Sequence, residues 1–163
     1  MNWKYSISLM NKAILLCMLF PLAFVSCNKP KGYSRSPHGF YYKLHQLGSS
    51  GRQGEAGDYA MARIAYHTMG DSLLYSRKVH LHLRPGTAGG SIDRMLMMLH
   101  EGDSASYILE ADQYFMSSVN QPAPGHLQGQ QIKVGLRLEK VQSGAEHERE
   151  KEAFMAWAGD LAE

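Results

Sequence analysis

The segment from Gln131 to Val141 alternates apolar and polar residues over nearly its whole length. One side of the pattern holds Ile132, Val134, Leu136 and Leu138, and the other holds Lys133, Arg137 and Glu139. A period of two places successive side chains on opposite faces of a β-strand, whereas a helix would distribute these apolar residues around its axis. The segment therefore predicts a long strand with one face packed on a core.

Further strands are predicted before it, separated by turn signals. They are expected within Gly39–Leu47, over Tyr59–Thr68, over the two short stretches Leu73–Ser76 and Val79–Leu83, and over Ser104–Glu110. In the second of these, Ala60, Ala62, Ile64 and Tyr66 share one face. After Ser104–Glu110 we expect an aromatic-tipped loop that carries Phe115, and Gln121–Gly129 is a Pro/Gly-rich loop.

One short central helix interrupts the strands. Ser91 is a candidate N-cap, and Gly102 is a candidate C′ stop. An apolar stripe at spacing i, i+3, i+4 and i+7 is formed by Ile92, Met95, Leu96 and Leu99. The pattern predicts an α+β fold in which an antiparallel sheet packs one face on this helix.

A second, charged helix is predicted from Glu146 to Leu161. Its apolar stripe consists of Phe154, Trp157, Ala158 and Leu161. We expect this stripe to dock on the domain, while pairing with a partner or leading into a second domain are the alternatives.

The N-terminus has the features of a targeting segment. Lys4 and Lys12 precede an apolar run, Ala13–Val25, which is shorter than the ~20 helical residues that span a bilayer but suits a signal peptide. The run ends in Ser26-Cys27, and a small residue before cysteine resembles a bacterial lipobox. This predicts cleavage before Cys27 and lipid attachment to it, with a plain signal peptide and an incidental cysteine as the alternative.

Charge and cysteine content restrict the function further. The chain has 17 basic and 15 acidic residues, so removal of Lys4 and Lys12 leaves 15 and 15, a net charge of zero. A neutral chain without a basic stripe argues against nucleic-acid binding. Cys17 would leave with the signal peptide, so the mature chain holds Cys27 alone and has no intrachain disulfide.

Several motifs, in order, resemble the FKBP-type peptidyl-prolyl isomerases. They are Ser36-Pro37-His38-Gly39-Phe40, Gly57-Asp58 with Ile64-Ala65-Tyr66, Asp71-Ser72-Leu73-Leu74-Tyr75-Ser76, Leu99-His100-Glu101-Gly102-Asp103, Tyr107-Ile108-Leu109-Glu110-Ala111, and the closing strand. The resemblance covers residues 37 to 142. It divides the chain into a lipoprotein signal peptide (1–26), a tether (27–37), an FKBP-like domain (38–142) and a C-terminal amphipathic helix (143–163).

The resemblance implies a pocket for proline rather than a catalytic triad. Rotation about an X-Pro bond has a barrier of about 18–20 kcal/mol, and lowering it needs no metal, cofactor or nucleophile. The residues carried over as catalytic are Tyr66, Tyr75 (a Phe in the family), Ile92 (the Trp of the pocket floor) and Phe115 (a Tyr in the family). Those carried over as substrate-binding are Leu81, Ala88, Gly89 and Val134.

Departures from the family leave two functions open. Ser76 stands where the family has an organising Asp, Ala88 and Gly89 replace a Val-Ile pair, and Val134 replaces a Phe. One prediction is a lipid-anchored isomerase and folding helper in a bacterial cell envelope, facing the periplasm or the exterior, which acts on proline-containing or unfolded exported polypeptides. The other is an FKBP-like binding module with a weakened pocket.

Two other patterns have competing interpretations. His80 and His82 lie on one strand face, which can begin a metal site, but no third ligand has a defined spacing, so a solvated strand face is favoured. The cluster Met95, Met97 and Met98 fits core packing on the helix better than a pliable client surface.

Overall fold

The computed structural model of the chain describes residues 29–48, 51–85 and 89–160. The predicted signal peptide, Cys27 and Ala88 lie outside the described residues. From Gly32 onward the chain forms one compact unit.

Six antiparallel strands form a single sheet. They are β1 (Ser34–Arg35), β2 (Tyr41–Gln46), β3 (Tyr59–His67), β4 (Leu73–His82), β5 (Ser104–Glu110) and β6 (Gln131–Gln142). Their order across the sheet is β1-β2-β5-β6-β3-β4. β1 lies within the stretch expected to be a tether, and it pairs with β2 through Ser34↔Tyr42 and Arg35↔Tyr41. The sheet therefore begins earlier in the chain than residue 38.

One face of the sheet forms the floor of the core. Ile64 pairs with Leu136, which in turn pairs with Ala105, so these three side chains lie side by side across β3, β6 and β5. All three are buried. The alternation predicted for Gln131–Val141 is confirmed, since Ile132, Val134, Leu136 and Leu138 are buried and Arg137 is exposed.

The central helix α1 (Ile92–Leu96) packs on this face. Ser91 caps it as predicted, its side chain accepting the Arg94 N–H at 3.3 Å. The predicted apolar stripe is confirmed, because Ile92, Met95, Leu96 and Leu99 are all buried. Met97 and Met98 pack against the same core, so the methionine cluster fills the core.

The predicted C-terminal end of α1 is wrong. The helix ends at Leu96, and the chain continues through turns such as Leu99 N–H to Leu96 O at 3.0 Å. Gly102 is not its C′ residue; it lies in the turn before β5 with a φ of 86°. A Cβ there would also lie 3.0 Å from the Gly48 Cα, so the turn requires glycine for both conformation and space.

Two other predicted elements differ from the structure. Leu73–Ser76 and Val79–Leu83, except for Leu83, belong to one continuous strand, β4, because the chain between them keeps its pairing with β3. The expected aromatic-tipped loop is a helix, α2 (Ala111–Val119). Ala111 and Tyr114, one helical turn apart, bury their side chains in the core, and this burial favours helix over loop.

The C-terminal helix α3 (Gly144–Asp160) is held by its first turns. Ser143 and Glu146 form a capping box, with Ser143 N–H donating to Glu146 Oε2 at 2.6 Å and Glu146 N–H donating to Ser143 Oγ at 3.3 Å. Hydrogen bonds from the Ser143 hydroxyl and then the Ser143 N–H, with a smaller contribution from Arg52, lower the pKa of Glu146 to about 2. His147 stacks on Tyr59 with ring centroids 3.8 Å apart.

The expected docking of the apolar stripe of α3 is wrong for the residues described. Phe154 is 61% exposed and Trp157 58% exposed, and Leu161 lies outside the described residues. The helix contacts the domain near its start, through polar groups and the His147 ring, and its apolar side chains farther along stay exposed. Within the described residues, no helix combines the length and apolar character needed to cross a bilayer.

Asp103 is expected to be a strong determinant of stability. Its buried carboxylate accepts the Gly48 N–H at 2.6 Å and the His100 N–H at 2.8 Å. Asp103→Ala should therefore lower the free energy of unfolding at pH 7 by about 3 kcal/mol, because two backbone donors lose their acceptor. Urea denaturation measures this loss, and a change no larger than that of an exposed control, Glu152→Ala, contradicts it.

The same carboxylate should make stability depend on pH. Burial opposes its ionisation, but the backbone hydrogen bonds from His100 and Gly48 outweigh burial and lower the pKa of Asp103. A lowered folded-state pKa means that this stabilisation is present at neutral pH and is lost as the pH falls below ~4. Unfolding at pH 7 and pH 3 should show a smaller acid-induced loss in Asp103→Asn than in the wild type.

Candidate functional site

An open groove of about 430 Å³ lies between β3 and β4, α2 and the loop that precedes β6. It is lined by Tyr66, Leu74, Tyr75, Arg77, Phe115, Val119, Gln121, Pro124, His126 and Leu127. Within the described part of the chain, no acidic residue lines the groove. The groove thus combines aromatic and aliphatic walls with a few polar groups, as binding pockets for small apolar groups do.

Three aromatic rings converge on the groove because of strand register and helix phase. Tyr66 and Tyr75 are paired across β3 and β4, and their ring centroids lie 6.3 Å apart. Phe115, on the first turns of α2, is 6.2 Å from the Tyr66 ring. Tyr75 is 52% exposed, so the groove opens to solvent on the β4 side.

A buried tyrosine supports this aromatic wall from behind. Tyr114 is 1% exposed, and its hydroxyl lies 2.8 Å from that of Tyr66. Burial raises the pKa of Tyr114 well above its usual range, and the Tyr66 charge and hydrogen bond act in the same direction. Tyr114 therefore stays protonated at physiological pH. Its hydrogen bond with Tyr66 uses one hydroxyl proton, and the other proton of the pair remains able to donate.

The loop before β6 forms one side of the groove. Leu127 is buried although its neighbours are polar, and its N–H donates to the Pro124 O at 2.7 Å within a short 3₁₀ turn, Gly125–Leu127. Pro124 and His126 complete this side. No pattern in the sequence assigned Pro124, His126 or Leu127 to the site. The available signal was an apolar residue, Leu127, inside a Pro/Gly-rich loop.

The residues predicted for the site separate into two groups. Tyr66, Tyr75 and Phe115 line the groove together. Ile92, Leu81, Gly89 and Val134 are not among its lining residues, and Ala88 lies outside the described residues. The structure thus brings together three of the four residues carried over as catalytic.

The remaining residues lie elsewhere in the domain. Ile92 is buried in the core, its N–H donating to Ser118 Oγ at 3.0 Å. Val134 is buried beside Tyr66 on β6, and Leu81 packs against the core opposite Ala60. Gly89 packs closely against His38, where a Cβ would lie 2.5 Å from the His38 O.

His80 and His82 belong to an aromatic cluster on β4. The ring of Tyr59 stacks on His82 at 4.8 Å and on His147 at 3.8 Å, and His80 lies 5.4 Å from His147. In the described part of the chain, no three histidine, cysteine or acidic side chains are grouped so that they could hold a metal ion. His80 and His82 are exposed, and their rings contact Tyr59 on β3, while His80 also contacts His147 on α3.

Comparison with known proteins identifies the fold. No protein-family model matches the chain, and no curated protein matches its sequence. Among solved structures, FkpA from Escherichia coli is 12% identical with a TM-score of 0.53, over 71% of this chain and 54% of FkpA. A peptidyl-prolyl cis-trans isomerase from Pseudomonas syringae pv. tomato is 13% identical with a TM-score of 0.53, over 88% of this chain and 99% of that one.

A third solved structure, the three FKBP domains of wheat FKBP73, is 10% identical with a TM-score of 0.50, over 64% of this chain and 45% of that chain. The chain thus spans about half the length of FkpA and slightly less of the wheat protein. Identities this low show the fold alone. The chain has an FKBP-like α+β fold, as its motifs predicted, with a six-stranded antiparallel sheet and a C-terminal helix.

The hydroxyl pair behind the groove should be energetically coupled. Tyr66→Phe and Tyr114→Phe each remove one hydroxyl and keep the ring, so the double-mutant cycle isolates the hydrogen bond between them. We expect a coupling of about 1 kcal/mol in urea unfolding. Strictly additive losses in the double variant would mean that the two hydroxyls do not stabilise one another.

Proposed function

We propose that the protein is a peptidyl-prolyl cis-trans isomerase and folding helper, with the aromatic groove as its proline site. The observation that carries this proposal is the convergence of Tyr66, Tyr75 and Phe115 on one groove in an FKBP-like fold. A volume of about 430 Å³ is ample for a proline ring and its neighbouring residues.

The groove suits the chemistry of amide rotation. The planar X-Pro amide is stabilised by resonance, which separates charge between oxygen and nitrogen, and the twisted transition state has lost that resonance. An aromatic, partly dehydrated wall solvates the polar planar form less well than water does, so it narrows the free-energy gap to the twisted form. The Tyr66 hydroxyl, held by its hydrogen bond with buried Tyr114, is a polar contact by which a bound peptide is oriented.

A second candidate function is holding of unfolded polypeptides without strong catalysis. Exposed apolar side chains occur in the groove and next to it in sequence: Leu74 and Val119 belong to the lining, and Leu73 and Met116 adjoin lining residues. Such a rim favours contact with extended apolar chains. Ile92, the counterpart of the pocket-floor Trp, packs in the core, so the groove also lacks that ring.

The proposed location of the protein rests on its N-terminal sequence. Lipid attached to Cys27 would hold the domain at a membrane of the bacterial cell envelope, because two or more acyl chains give stable anchoring. The proposed clients are accordingly proline-containing or unfolded exported polypeptides.

The isomerase proposal is tested by following cis-to-trans conversion of a proline peptide with the full chain. Tyr75→Ala should lower kcat/KM by about tenfold, a loss of ~1.4 kcal/mol in transition-state stabilisation. Because Tyr75 is half exposed on an outer strand, its removal leaves the core intact. Phe154→Ala is the matched control, since it removes an exposed ring on α3 outside the groove.

A rate equal to the uncatalysed rate would contradict the isomerase proposal. If the protein then still bound a denatured client, and Tyr75→Ala weakened that binding while Phe154→Ala did not, the holding function would replace it. Equal effects of the two variants on turnover would exclude the groove as the proline site.

The anchoring proposal has its own test. Expressed in bacteria fed with labelled palmitate, the wild-type chain should incorporate label and fractionate with membranes, while Cys27→Ser should lose both properties. Equal labelling of Cys27→Ser and the wild type would rule out lipid attachment at this cysteine.

A further inference from the structure

Among the described residues that line the groove, Arg77 alone carries a full charge at neutral pH irrespective of its surroundings. No carboxylate belongs to this described lining, and the other basic group in it is the His126 imidazole. A cationic group on an otherwise aromatic and aliphatic surface gives selectivity, because it attracts anionic ligands and repels cationic ones.

The strand register places Arg77 on the groove side of β4. It pairs with Ile64, which is 2% exposed on the core face of β3, and it lies two residues from Tyr75. Residues two apart share a face of a strand, so the guanidinium and the Tyr75 ring lie on the same side. A spacing of ~3.3 Å per residue separates their backbones by about 7 Å.

The charge of Arg77 is uncompensated within the described residues. It forms no salt bridge or hydrogen bond there, whereas Lys78 on the same strand pairs with Glu139 at 2.7 Å, and Arg84, which follows the strand, pairs with Asp93 at 3.1 Å. Arg77 also lines the groove, so its positive charge is available to a ligand bound there.

We propose that Arg77 gives the groove a preference for acidic peptides, namely X-Pro segments with Asp or Glu one or two residues from the proline. The inference rests on the proposed proline site, because the position of the acid is measured from a ring held by Tyr66, Tyr75 and Phe115. With the proline ring there, a carboxylate on a neighbouring peptide residue can reach Arg77, because the backbones of Tyr75 and Arg77 are only ~7 Å apart along β4. Arginine favours this pairing since its planar fork binds carboxylate through two donors.

The openness of β4 supports the same ligand. β4 is the last strand in the order of the sheet, so its outer backbone groups face away from β3. An extended peptide lying along it directs alternate side chains toward one face. A charge on the core-facing side of an outer strand has an alternative role, which is to prevent the strand from pairing with other chains. If that were the only role of Arg77, the groove would show no preference among bound peptides.

The test uses three matched peptides that differ only in the residue before proline, which is Glu, Gln or Lys. Binding to the full chain is measured by fluorescence anisotropy, and turnover by the isomerisation assay. At low salt the Glu peptide should bind about fivefold more tightly than the Gln peptide, with Lys weakest, and 0.5 M salt should reduce the difference.

Variants assign the preference to one side chain. Arg77→Gln should make the Glu and Gln peptides bind with equal affinity, and Arg77→Glu should favour the Lys peptide. Arg137→Gln is the matched control, because it removes the same charge from an exposed position beside buried Leu136 and Leu138, on the opposite face of the sheet. The control should keep the full preference.

The two readouts separate this inference from the proposed function. Turnover of all three peptides at equal efficiency would overturn the acidic preference and leave the isomerase intact. A Glu preference in binding that disappears in Arg77→Gln, without turnover of any peptide, would support the preference and refute catalysis. A preference that Arg77→Gln retains, or that Arg137→Gln also loses, would show that Arg77 is not its source.

Discussion

Packing of a five-residue helix on one face of an antiparallel sheet is the interaction on which the rest of this structure depends. Met95 and Leu96 of α1 are completely buried, and each fully buried side chain of this size contributes roughly 2–3 kcal/mol. The sheet offers small residues on the same face, among them Ala60 and Ala62. The Tyr107 hydroxyl donates to the Met95 O at 3.0 Å, which joins β5 to the helix.

The candidate site follows from what α1 leaves uncovered. None of its residues lines the groove; instead α2 and the loop before β6 cover that part of the sheet, and the register of β3 with β4 pairs two tyrosines at its edge. A buried hydroxyl behind Tyr66 and an uncompensated charge on β4 give the groove two polar features. An apolar wall with few polar contacts is what catalysis of a rotation requires, because no proton or electron pair is transferred.

The features of the fold that depend on the spacing of apolar residues could be predicted from the sequence. The faces of β3 and β6, the stripe of α1 and its Ser91 cap all follow from local spacing, and the aromatic positions Tyr66, Tyr75 and Phe115 follow from ordered motifs. It did not predict α2, whose helix depends on burying Ala111 and Tyr114. Nor did it assign Arg77 or Leu127 to the site, because both reach the groove through tertiary placement that no local pattern encodes.

The central claim is that a proline ring is held among Tyr66, Tyr75 and Phe115. The most direct measurement is the set of intermolecular nuclear Overhauser effects between a bound proline peptide and the full chain. If the proline ring is held there, we expect contacts from its protons to the rings of all three residues. Contacts confined to other surfaces, such as the exposed end of α3 with Phe154 and Trp157, would contradict it.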